Sequence, residues 1–175
     1  MQIERLRQYF NLEKRPVKVI EPYQMLGEVE NDLADILGCD VMGIPPRTNI
    51  FGFESKNWKE FKTFWGQEVL VPENFNTTLD ANGDLLIYPG GDMSVAASGK
   101  MPKSSYFFDS IIRQQPYDEN NPILEDNLEE FELLKDADIA YWKEKAEIAK
   151  KTDKGVIANF GGTALGDIAL VPVHG

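Results

Sequence analysis

The feature that most constrains the fold of this chain is a long helical pattern. It leads into a short apolar strand and then into a glycine turn. The helical pattern runs from Glu125 to Lys151, with a break expected near Asp136. The β-prone segment Gly155–Phe160 follows it, and then Gly161, Gly162 and Thr163. Helix, buried strand and glycine turn in this order are typical of one unit of an α/β barrel or wound sheet. Because a parallel strand needs neighbours, we expect this unit to pair with another chain or to belong to a larger protein.

The composition narrows the class of protein. The chain has 175 residues, of which 42% are hydrophobic, and this length suits one globular domain. Its net charge of −11 argues against nucleic acid and anionic membrane surfaces as partners. The polar start, Met1–Arg5, is unlike a secretory leader, and no apolar run approaches the roughly 20 residues of a membrane span. We therefore expect a cytoplasmic protein.

The chain has few of the cysteine and histidine ligands that zinc prefers. Cys39 and His174 are the only cysteine and histidine, so no Cys–His or Cys-x-x-Cys pattern exists and no metal site is predicted within the chain. Cys39 is expected to be a small buried residue beside a strand. Asp80–Asp84 begins like a calcium loop but lacks the later glycine and glutamate, and a hairpin turn explains it better.

The N-terminal part predicts a helix followed by a βαβ unit. Apolar spacing indicates a helix within Ile3–Leu12 and a strand at Val17–Ile20. A second helix is expected to begin near Pro22 and to end at Gly38, because proline suits a first helical turn and glycine a helix end. A strand at Asp40–Ile44 would complete the unit.

An insert of about residues 45–112 differs in character from its surroundings. It contains two tryptophans, several glycines and an Asn-Gly pair, which is a strong local signal for a β-hairpin. The insert is therefore predicted to hold a short helix at Trp58–Phe64, hairpin strands at Phe75–Leu79 and Asp84–Tyr88, and a strand at Met93–Ala97.

Three segments are candidates for function. Glu21 follows a strand, where a carboxylate serves as an acid, a base or a substrate acceptor, or else caps the next helix. Phe160, Gly161 and Gly162 form either a ligand-approaching turn or a plain glycine turn. The cations and aromatics of Lys100–Asp109 either line a pocket for a flat or anionic ligand or form a packing strand.

Several segments, taken in order from about residue 6 onward, together carry a family resemblance. They are Arg15–Leu26, Glu28–Glu30, Leu37–Val41, Lys100–Lys103, Tyr106–Asp109, Thr152–Asp153 and Val156–Thr163. Their order and spacing resemble the uroporphyrinogen decarboxylase superfamily, in its methyltransferase-like and uncharacterised branch. The resemblance implies that residues 1–175 are a portion of a (β/α)8 TIM barrel, an α/β fold, with an antiparallel β-hairpin insert.

The resemblance also implies two chemistries and a set of site residues. Members of one branch move methyl groups between a donor, a corrinoid protein and an acceptor, often with zinc, and members of the other decarboxylate a tetrapyrrole without a cofactor. Glu21 would be catalytic, and substrate would bind at Gln24, Asn159, Phe160, Gly161 and Gly162. Zinc and a corrinoid partner would belong to the full-length parent rather than to this chain.

Three functions remain open at this point. The first is part of a corrinoid-linked methyltransferase or demethylase, acting on a small molecule or a corrinoid protein. The second is a uroporphyrinogen decarboxylase in porphyrin biosynthesis, although the Arg-Gln-Ala-Gly-Arg-Tyr signature of those enzymes is missing. The third is an inactive association module, in which exposed strand edges pair two copies as a homodimer.

Overall fold

The computed structural model describes residues 2–112, 120 and 134–159, which fall into two compact units. Unit 1 comprises Met1–Asp40 and Thr48–Ile111, and unit 2 comprises Val41–Arg47 and Ile112–Gly175. In chain order, the helices and strands are α1 (Gln2–Tyr9), β1 (Val17–Glu21), β2 (Leu26–Gly27), α2 (Asn31–Ile36), β3 (Val41–Ile44), β4 (Lys59–Lys62), β5 (Glu68–Val71), β6 (Thr77–Leu79), β7 (Leu85–Ile87), a 3₁₀ turn (Pro89–Gly91), β8 (Gly99–Met101), β9 (Asp109–Ser110), α3 (Asp136–Ala149) and β10 (Gly155–Ala158).

Unit 1 contains two four-stranded sheets. The first has the order β2-β1-β5-β4, in which β1 is parallel to β5 and the other neighbours are antiparallel. The second is the antiparallel meander β6-β7-β8-β9. Alternate residues of the strands face inward, as the two-residue period of a strand requires. Gly99 of β8 packs so closely that an added Cβ would lie 2.8 Å from Ile87 and 3.0 Å from Phe51.

One apolar core joins the two sheets of unit 1. Three phenylalanines at its centre meet edge to face, with ring centroids 5.7 Å apart between Phe51 and Phe108 and 6.1 Å apart between Phe75 and Phe108. Phe108 is fully buried, whereas its neighbour Phe107 is 48% exposed. The cluster consists of Val19, Met25, Phe51, Phe53, Val69, Val71, Phe75, Leu85, Ile87, Met101 and Phe108.

Unit 2 contains a β–α–β arrangement. Strands β3 and β10 are parallel, in register from Val41 against Gly155 to Ile44 against Ala158, and α3 precedes β10. Both predicted strands are confirmed, as β3 and β10, and so is the helix over Asp136–Ala149. The expected burial of the second strand is wrong, because all four residues of β10 are exposed. The earlier part of the predicted helix, 125–133, lies outside the described residues. None of the helices in the described ranges is long and apolar enough to cross a membrane.

The predicted barrel is wrong. Within the described residues the structure is mostly sheet, with three α-helices and several small sheets, and it shows no (β/α)8 pattern. The reason lies at β1, whose two edges are taken by antiparallel β2 and by β5. No edge of β1 is left for β3, so the βαβ unit predicted for residues 17–44 does not form.

The helix predicted from Pro22 to Gly38 is also wrong in its first half. The Glu21 carboxylate accepts hydrogen bonds from the backbone N–H groups of Tyr23 and Gln24, at 3.0 and 2.8 Å, and so closes a turn. Met25 then takes a left-handed φ of 53°, which an α-helix excludes. The chain therefore doubles back as β2 against β1, and only the short α2 remains.

The insert is partly as predicted. The Asn-Gly hairpin is confirmed as β6 and β7, whereas Trp58–Phe64 forms strand β4 and no helix. The predicted strand at Met93–Ala97 is a turn, because Asp92 Oδ1 accepts hydrogen bonds from the Ser94 N–H and Oγ at 2.8 and 2.6 Å. Cys39, expected to be buried, is exposed.

Candidate ligand-binding site

A largely apolar groove of about 320 Å³ lies in unit 1 beside the turn between β4 and β5. Strand β6, at the edge of the meander, forms part of its wall, and Leu85 and Met101 from the next two strands contribute side chains. Its volume falls at the lower end of the roughly 300–1,000 Å³ of small-molecule sites. The lining residues are Met25, Phe61, Lys62, Thr63, Phe64, Trp65, Thr77, Thr78, Leu79, Leu85 and Met101.

The β4–β5 turn presents aromatic side chains to this groove because Thr63 fixes its shape. The buried Thr63 hydroxyl donates to the Gln67 carbonyl at 3.1 Å and accepts from the Gln67 N–H at 3.0 Å. Gly66 supplies the φ of 81° that such a turn needs. Trp65 is held between these residues, and it projects from a rigid turn.

Side-chain hydrogen bonds orient the Trp65 indole further. Its Nε1–H donates to Gln67 Oε1 at 3.2 Å, and Gln67 Nε2 donates to Glu4 Oε2 of α1 at 2.8 Å. On its other side the ring lies against Tyr106, with centroids 5.1 Å apart. Contacts from three parts of unit 1 therefore hold this aromatic wall, which favours ligand binding without rearrangement.

A second, more polar cavity of about 550 Å³ adjoins the same tryptophan. It lies between α1 and the β4–β5 turn, so that Trp65 lines both cavities. Its other lining residues are Glu4, Arg5, Lys14, Arg15, Pro16, Val17, Gly66, Gln67 and Glu68.

An ion-pair network beside the second cavity fixes α1 to the start of α2. The buried Arg7 donates to both carboxylate oxygens of Asp32, at 2.9 and 2.8 Å, and this contact holds the pKa of Asp32 at about 2. Arg15 binds Glu30 at 2.6 Å and Asp32 at 2.8 Å, and Lys18 lies 3.3 Å from Glu30. These cations are committed to structural pairs.

Some residues of the Lys100–Asp109 segment stabilise the hairpin, and others line or support the groove. Lys100 Nζ lies 2.8 Å from Asp80 Oδ2 and 2.9 Å from Asp84 Oδ2, which raises the pKa of Lys100 and lowers that of Asp80 to about 2. Met101 lines the groove and Tyr106 supports Trp65. Lys100 thus stabilises the hairpin turn through these ion pairs and does not line the groove.

Glu21 and Gln24 lie together at the end of β1. Both carboxylate oxygens of Glu21 accept backbone hydrogen bonds, one of them from the Gln24 N–H, and Gln24 is exposed. Glu21 therefore caps a turn before β2, and not the helix that was the alternative expected from the sequence. The catalytic role of Glu21 and the binding role of Gln24 stay predictions.

The remaining predicted site residues belong to unit 2. Asn159 follows β10, is exposed, and donates its backbone N–H to the Ile44 carbonyl at 2.9 Å. Phe160, Gly161 and Gly162 lie outside the described residues. Among residues 2–112, 120 and 134–159, no group of three or more His, Cys, Asp or Glu side chains is placed to hold a metal ion.

Sequence reasoning missed the residues that shape the groove. Phe61 falls in Trp58–Phe64, which was predicted to be a helix, and Trp65 directly follows that segment. The available signal was turn chemistry, namely a threonine three residues before a glycine and between β-prone runs.

Comparison with protein families, with curated proteins and with solved structures gave no match for this chain.

Proposed function

We propose that unit 1 is a binding module for a small molecule with an apolar or aromatic group. The observation that carries the proposal is the groove beside Trp65, whose indole is fixed by Gln67 and packed on Tyr106. Pockets of this kind combine an apolar lining with a few polar groups that set orientation. Thr77 supplies such a group here, whereas the Thr78 hydroxyl shares a 2.6 Å hydrogen bond with the Tyr88 hydroxyl.

The side chains that line the groove are held rigidly. This favours a binding site over a mere irregularity of the surface. Phe61 packs edge to face on the buried Phe75, with centroids 5.1 Å apart. Trp65 is likewise held on two sides. A site already in its bound shape loses little conformational freedom when it takes a ligand.

A calorimetric titration with 2-naphthol and 1-hexanol, one aromatic and one aliphatic probe, tests the proposal. Binding of at least one probe is expected, and Leu79→Glu should weaken it about tenfold by placing a carboxylate in the apolar groove. Leu79 is 62% exposed, so this change leaves the core intact. Ile50→Glu is the matched control, because Ile50 is 64% exposed and lines neither cavity. If neither probe binds, or both variants behave alike, the proposal is wrong.

We propose corrinoid-linked methyl transfer, in a cytoplasmic protein, as the second candidate function. The family resemblance suggests it, and the parallel β3–α3–β10 unit favours it, because ligands bind beyond the carboxyl ends of parallel strands. Asn159 stands at that end. Titration with hydroxocobalamin and with uroporphyrin, repeated on Asn159→Ala, separates methyl transfer from tetrapyrrole decarboxylation.

The association module makes a different prediction. If exposed strand edges pair two copies, sedimentation equilibrium should show a dimer whose population rises with protein concentration. A monomer that binds 2-naphthol would support the binding module and contradict the association module.

A further inference from the structure

We propose that the polar cavity beside Trp65 binds an anionic group of the same ligand, so that the ligand class is a small apolar or aromatic carboxylate or phosphate. This inference rests on the proposed function, since it places the rest of the ligand in the apolar groove. Trp65 lines both cavities, and the ligand that we infer spans the two across this residue.

Two cations of this cavity are available to a ligand. Arg5 on α1 and Lys14 after it are both exposed, and neither forms an ion pair with another residue in the described ranges. The third cation, Arg15, is held by Glu30 and Asp32. Arg5 and Lys14 are therefore the two cations of this cavity that are free to attract an anion.

The carboxylates of the cavity do not neutralise these cations by contact. Glu4 accepts the hydrogen bond from Gln67, and Glu68 is an exposed residue at the start of β5. No described ion pair joins either of them to Arg5 or Lys14. A ligand anion is thus the group that would complete the charge pairing, through hydrogen bonds strengthened by charge.

Three naphthalene probes test this assignment by calorimetry. 2-Naphthol is neutral at pH 7, whereas 2-naphthoate and 2-naphthyl phosphate add an anion to the same ring. At least one anion should bind about fivefold to tenfold more tightly than 2-naphthol, the gain expected of two exposed charge pairs, and 0.5 M NaCl should reduce the gain. The probe that binds more tightly than 2-naphthol shows whether the anionic group of the ligand is a carboxylate or a phosphate.

The double variant Arg5→Glu/Lys14→Glu supplies the decisive comparison. It should remove the gain of the anionic probes and leave 2-naphthol binding unchanged, while Lys103→Glu, an exposed cation that lines neither cavity, should change nothing. Equal affinity for all three probes, or a gain that survives the double variant, overturns the anionic subsite but leaves the groove standing. Failure of all three probes to bind contradicts the proposed function itself.

Discussion

Replacing Phe108 by alanine should destabilise unit 1 far more than the same change at Phe107. Phe108 is fully buried and contacts the rings of Phe51 and Phe75, whereas Phe107 is 48% exposed. Truncation of a buried phenylalanine costs about 3–5 kcal/mol, because apolar contact is lost and a cavity remains. The exposed change should stay within about 1 kcal/mol. The hydrogen bond from the Phe108 N–H to the Tyr23 carbonyl, at 2.7 Å, survives because it belongs to the backbone.

Urea denaturation at 25 °C measures this difference. With an m-value of about 2 kcal/mol/M, a loss of about 4 kcal/mol lowers the midpoint by about 2 M, against about 0.5 M or less for Phe107→Ala. A Trp142→Phe background restricts the fluorescence signal to unit 1, because the other two tryptophans, Trp58 and Trp65, lie there.

The outcome that refutes the reasoning is an equal shift for the two alanine variants. Phe108→Leu keeps the comparison open if Phe108→Ala does not fold at all, since leucine leaves a smaller cavity and should give an intermediate midpoint. A leucine variant as stable as the parent would place the Phe108 side chain outside the core.

Three further predictions concern packing, charge and the tryptophan. Gly99→Ala should lower the free energy of unfolding by about 1–3 kcal/mol through overpacking, measured by urea titration. The pKa of Asp80 is about 2 in the folded state and about 3.8 in the unfolded state, so its pairing with Lys100 contributes stability above pH 4 that is lost as the pH falls toward 2. Asp80→Asn weakens this pairing. The variant should therefore lose less stability than the parent between pH 4 and pH 2, as measured by acid unfolding followed by circular dichroism. Glu4→Ala should release the Trp65 indole and shift its emission to longer wavelength, and unchanged emission would contradict the hydrogen-bonded orientation.

Local signals in the sequence predicted the elements that depend on local chemistry. The alternation of Val17 and Val19 marks β1, and the Asn-Gly pair marks the β6–β7 hairpin. These patterns act within a few residues, so one sequence suffices to recognise them.

Other elements depend on contacts that no local pattern carries. The turn after β1 needs the Glu21 carboxylate and a left-handed Met25, and the apolar spacing of the following residues gives no sign of either. Strand β5 pairs with β1 far earlier in the chain, and this pairing displaces the expected βαβ unit. The same holds for the site, since Glu4 reaches Trp65 only through Gln67 of another element.

The position of β3 in the chain has a consequence for synthesis. This strand interrupts unit 1, and its partner β10 follows only after the whole second segment of unit 1. On the ribosome, unit 1 has all its strands once Ile111 has emerged. At that point β10, the partner of β3, has not yet emerged. Because contacts between distant parts of a chain form slowly, we expect unit 1 to fold first and the parallel β3–β10 pair to close last. A chain halted after unit 1 would carry β3 as an unpaired strand, with its backbone open to other chains.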